Sequence, residues 1–99
     1  MVKVVWTQRS LFDLEDIGDY ISKDSIRYAK LTLEKLIDSA SLISNNPLIG
    51  RIVTESKDKS IRELIKGNYR VIYQIRNDTS VFILTVFHTA RLLSEKDLE

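Results

Sequence analysis

Cysteine is absent from the 99-residue chain, and histidine and proline occur once each. Without thiols there is neither a disulfide framework nor thiolate chemistry, and a single imidazole excludes most His-rich metal sites. No cofactor or metal is expected. The opening MVKVVWTQRS lacks the apolar core of a secretory signal, and no uncharged apolar run is long enough to cross a bilayer. With cysteine missing as well, the expectation is a cytoplasmic protein that does not enter a membrane. Charge of one sign is also scarce, since 15 Lys/Arg against 14 Asp/Glu leave a net +1. Its distribution is uneven: residues 1–46 carry six basic and seven acidic side chains, 47–91 eight and four, and 92–99 one and three. The positive field belongs to the second half, well short of the footprint of a dedicated nucleic-acid binder.

What is present is a dense apolar stretch, Asn68 to Arg91, around which the rest can be organised. Tyr69 to Ile75 and Val81 to Phe87 are β-branched and aromatic runs flanking the turn cluster 76–80, which reads as a β-hairpin. Both runs are apolar on nearly every residue, the pattern of strands covered on two faces. Cover has to come from the first half. Val2 to Thr7 reads as an edge strand blunted by Lys3. Thr7 or Ser10 then caps a helix whose apolar face is Leu11, Leu14, Ile17 and Ile21, interrupted by Gly18, which is either a tolerated break or a close approach to the next helix. Asp24 or Ser25 caps a second helix to about Asn46, with a seam of Ile26, Ala29, Leu33, Leu36, Ala40 and Ile43. Pro47 ends it.

Residues 48–60 form a polar connection, the most mobile segment expected. Ile61 to Lys66 is a third strand, joined to the hairpin by a tight Lys66-Gly67-Asn68 turn in which Gly supplies positive φ. The tail LLSEKDLE reads as a frayed helix or a disordered end. The expected fold is a single α+β domain over residues 1–99. Its order is β-α-α-β-β-β, an antiparallel-rich sheet packed against an N-terminal helical hairpin.

Gly50-Arg51 after Pro47, Arg62-Glu63-Leu64, Tyr69-Arg70-Val71-Ile72-Tyr73 and His88-Thr89-Ala90-Arg91, in that order and spacing, resemble the RelE/ParE superfamily of toxins from bacterial type II toxin-antitoxin modules. The likeness covers nearly the whole chain and is sharpest from Pro47 to Arg91. It implies two candidate activities: ParE-like members inhibit DNA gyrase by binding, whereas RelE- and YoeB-like members cleave mRNA on the ribosome. Cleavage needs a base for the 2′-hydroxyl, an acid for the leaving oxygen and cations at the phosphate. Arg70 and His88 match a catalytic Arg and His of the YoeB-like branch, but Thr89 stands where that branch has Tyr. Gly50-Arg51-Ile52 offers no acidic base, and the tail lacks the terminal Tyr of RelE.

The resemblance therefore leans to the ParE-like branch, a gyrase inhibitor neutralised by a cognate antitoxin in a hetero-oligomer. The alternative is a metal-independent nuclease acting on ribosome-bound mRNA through Arg62, Arg70, His88 and Arg91. A non-toxic member that still binds antitoxin is a third possibility. Antitoxin or target binding is assigned to Arg51, Arg62, Arg70, Arg76 and Arg91. Against these stand plainer roles: His88 as a hydrogen-bonded strand boundary, Glu63 as the ion-pair partner of a nearby Arg, and Tyr69 and Tyr73 as core. Arg70 and His88 share a face of the sheet only if the hairpin register pairs residues whose numbers sum to an even value.

Overall fold

The computed structural model describes residues 1–90 and 95–98. Its elements are β1 (Lys3–Trp6), α1 (Gln8–Ser22), α2 (Ile26–Asn45), β2 (Arg51–Ile52), β3 (Ile61–Lys66), β4 (Tyr69–Ile75), β5 (Ser80–His88) and a 3-10 turn (Glu95–Leu98). The strands form one five-stranded sheet in the order β1-β5-β4-β3-β2. All pairings are antiparallel except β1 with β5, which run parallel. The expected α+β order and the β3-β4-β5 meander are thus present, and β1 lies at an edge, as Lys3 suggested. Between β3 and β4 the turn is Gly67-Asn68, with Gly67 at φ 60.

Alternation sorts the side chains into two cores. Toward the helices, Val71, Tyr73, Val81, Ile83 and Val86 pack with Leu14, Leu36 and Ile43. On the opposite face, Ile72, Leu84 and Phe87 pack with Val53 and Ile61. Within the connection 48–60, expected to be mobile, Val53 is fully buried. Before it comes β2, a strand absent from the sequence reading. Two residues carry too little pattern to register as a strand, and β2 is defined by its pairing to Glu63 and Arg62. The helical seams are right from their second turns onward, but Leu11 and Ile26, expected on the buried faces, are 52% and 78% exposed. Gly18 does serve close approach: a Cβ there would stand 2.9 Å from Leu33 Cδ1.

One irregularity decides the geometry of the site. Near the turn β4 and β5 pair Ile75 with Val81 and Tyr73 with Ile83; past a bulge, Ile72 pairs with Thr85, Arg70 with Phe87 and Tyr69 with His88. The bulge is held from the helical side. Thr7, the N-cap of α1, donates through Oγ1 to Ile83 O at 2.7 Å while accepting from Ser10 N at 3.2 Å. Asp13 Oδ2 accepts from Thr85 Oγ1 at 2.6 Å and from Val86 N at 3.0 Å. One extra residue in β5 exchanges the faces of everything beyond it.

Candidate functional site

Because directly opposed antiparallel residues share a face, Arg70 stands with Phe87 and His88 stands with Tyr69, on opposite sides of the sheet. The Arg70 guanidinium lies 5.3 Å over the Phe87 ring, and the His88 and Tyr69 rings meet edge to face at 5.5 Å. The two residues a nuclease would need together are held apart by the sheet.

Arg70 is buried and occupied. Its Nε donates to Glu63 Oε2 at 2.9 Å and its Nη2 to the same oxygen, while Nη1 and Nη2 reach the two oxygens of Glu55 at 3.0 and 3.3 Å. Glu63, 3% exposed, also accepts from Arg51 Nε at 2.7 Å. Two guanidinium groups thus face two carboxylates, a neutral cluster bordering a cavity of about 520 Å³ that Thr54, Ile65 and Thr89 also line. Hydrogen bonding from Arg70 holds the Glu55 carboxyl below its ordinary value. Burial alone would lower the Arg70 value, yet the contacts with Glu55 and Glu63 raise it, so this arginine stays charged.

Arg62 belongs to the helical side and has a structural task. Its Nη1 donates to Gly50 O at 2.7 Å, Gly50 N donates to the Tyr73 hydroxyl at 2.8 Å, and that hydroxyl donates to Pro47 O at 2.7 Å. Burial pushes the Tyr73 phenol up. No side chain fits at position 50, since a Cβ would lie 2.5 Å from Glu63 O and 2.6 Å from the phenol oxygen. This chain of contacts docks the end of α2 onto β3 and β4.

Of the other sequence-derived candidates, Arg76 stacks on Phe82 at 4.6 Å, at the far end of β4. It lies six residue steps along the chain from Arg70, about 20 Å in extended backbone. Arg91 and residues 92–94 and 99 of the acidic tail lie outside the described residues, while Asp97 pairs with Arg9 at 2.5 Å. The structure therefore gathers Arg51 and Arg70, places Arg62 and His88 on the helical side, and isolates Arg76. Glu63 has the ion-pair role expected of it, and Tyr69 and Tyr73 pack in the helical core. Sequence reasoning missed Glu55 and Asp13. Glu55 had only the weak signal of being an acid in a basic segment, and Asp13 that of a carboxylate adjoining the apolar stripe of α1.

A family model described as the ParE toxin of the type II toxin-antitoxin system parDE matches residues 4–93. Toxin RelE2 of Caulobacter vibrioides is 36% identical over 92 residues, spanning 93% of this chain and 100% of that protein. The protein Y4kP of Sinorhizobium fredii is 33% identical over 86 residues, 87% of this chain and 86% of its own length. A chain of the chromosomal ParDE system from P. aeruginosa superposes with a TM-score of 0.71 at 18% identity, covering 89% of this chain and 96% of that one. A chain of the toxin-antitoxin complex RelBE2 from Mycobacterium tuberculosis gives 0.65 at 24% identity, covering 88% and 96%. Both structural likenesses speak for the fold alone.

Proposed function

The chain belongs to the ParE toxin family of type II toxin-antitoxin modules, and from that premise we propose that it inhibits DNA gyrase by binding and is neutralised by a cognate antitoxin. The observation that carries the reading is the separation of Arg70 from His88 by the sheet. Phosphodiester cleavage by a 2′-hydroxyl requires a proton acceptor and a phosphate-stabilising cation converging within hydrogen-bond reach of one substrate. Here the cation is on one face and the imidazole on the other.

The ion cluster supports the same reading. Every carboxylate oxygen of Glu55 and Glu63 accepts from a guanidinium, so both groups are engaged within the chain, and Arg70 spends its donors there too. Such a surface suits protein recognition, in which charges are matched and geometry is rigid, more than turnover of a polyanion. The runner-up, ribosome-dependent mRNA cleavage, draws support from the name of the Caulobacter relative, RelE2.

Expression in a bacterial host distinguishes the two. Gyrase inhibition predicts stalled division with an induced DNA-damage response, relieved by co-expression of the antitoxin. Rapid arrest of translation with fragmented mRNA would replace it with the nuclease.

A further inference from the structure

The helical side of the sheet ends in a groove that the gyrase reading does not use. A cavity of about 510 Å³ opens between α1 and the end of β5, with Asp13, Asp16, Ile17, Tyr20, Tyr69 and His88 in its wall. A second of about 240 Å³ shares Tyr20, Tyr69 and His88 and adds Asp24 and Tyr28. Helical spacing makes the groove: Asp13, Asp16, Ile17 and Tyr20 recur at intervals of three and four residues, so α1 presents them on one face. The phenol of Tyr69 is raised by burial and then by the nearby Tyr28 and Tyr20.

The charged side chains in its wall are acidic, and of these Asp13 already holds Thr85 and Val86 through Oδ2. The ion pairs formed among the described residues are Arg9–Asp97, Arg51–Glu63, Arg70–Glu55 and Arg70–Glu63; none includes Asp13, Asp16 or Asp24. No described Lys or Arg lines either cavity. Carboxylates beside exposed tyrosine rings form the chemistry that binds an organic cation, charge to charge at the rim and over the ring faces within. One cation of the chain already uses such a face, with Lys23 Nζ 5.9 Å from the centre of the Tyr20 ring. A guanidinium fits better than an ammonium, because it is planar, stacks on aromatic faces and forks onto carboxylates.

We propose that this groove receives an arginine side chain presented by a protein partner. The inference does not depend on which target the toxin poisons. It assigns to the helical side a site for positive charge, opposite in sign to the arginines named from the sequence.

The test uses the full chain and two short acetylated, amidated peptides, one carrying two arginines and the other two glutamates, followed by NMR of the tyrosine and histidine rings. The arginine peptide is expected to shift Tyr20, Tyr69 and His88 and to bind about tenfold more weakly to the Asp16→Asn/Tyr20→Ala double variant. Asp16 and Tyr20 are exposed, so the fold should persist, and unchanged amide shifts in the core would confirm it. Equal affinity for the double variant, shifts confined to the Glu55–Asp58 surface, or no ring shifts at all would overturn the proposal. Gyrase inhibition without peptide binding removes only this proposal, and peptide binding without gyrase inhibition removes only the target.

Discussion

The two faces of the sheet at the Arg70–His88 end treat charge in opposite ways. On the face away from the helices, Arg51 and Arg70 are matched within the chain by Glu55 and Glu63. On the helical side, Asp13, Asp16 and Asp24 surround tyrosines and form no ion pair among the described residues, while Lys23 sits over the Tyr20 ring. A count of charges by sequence segment points to the arginines as the grip on a partner. Pairing shows why that count misleads, because a guanidinium that already holds two carboxylates contributes rigidity more than unmet attraction.

Four substitutions test that contrast. The largest effect belongs to Glu63→Ala, which leaves Arg51 and a buried Arg70 without their shared carboxylate and should cost about 3–5 kcal/mol in urea unfolding. Tyr73→Phe removes the hydroxyl that joins Gly50 N to Pro47 O and should cost about 1–3 kcal/mol, because a buried donor and acceptor lose their partner.

Glu55→Gln should be milder, about 0.5 kcal/mol at neutral pH, because an ion pair on a partly exposed side chain is screened. Its pH dependence has a definite sign. Hydrogen bonding to Arg70 lowers the folded-state value of Glu55 from the ordinary 4.5, so its contribution is full above that value and is lost as pH falls through the lowered one. Wild type and variant should therefore differ in unfolding midpoint at neutral pH and converge in acid. Smallest is Asp16→Asn, exposed and unpaired among the described residues, which should change stability by less than about 0.5 kcal/mol. A loss at position 16 as large as that at position 63 would erase the distinction between the faces.

Element order was legible because it rests on local pattern. The 3-4 seam of α2 and the apolar runs of β4 and β5 announce themselves, and Pro47 and Gly67 mark boundaries that the chain does obey. Faces were less legible. Whether Arg70 and His88 meet depends on one extra residue in β5, and the contacts that hold the bulge come from Thr7 and Asp13, more than 70 residues earlier in the chain. Nothing local to Leu84 records them. Glu55 was hidden for a related reason, since its importance is its contact with Arg70, and a single carboxylate in a polar loop looks like solvated charge until the fold supplies the partner. Gly50-Arg51 could be recognised as a motif, but its physical reason, a phenol oxygen where a Cβ would go, is visible only in three dimensions.

A supercoiling assay with purified gyrase, run beside an assay for cleavage of ribosome-bound mRNA, separates the two activities. A chain whose arginine cluster and imidazole lie on opposite faces should block supercoiling and leave the message intact. Untouched supercoiling together with cut mRNA would make the chain a nuclease and not a gyrase inhibitor.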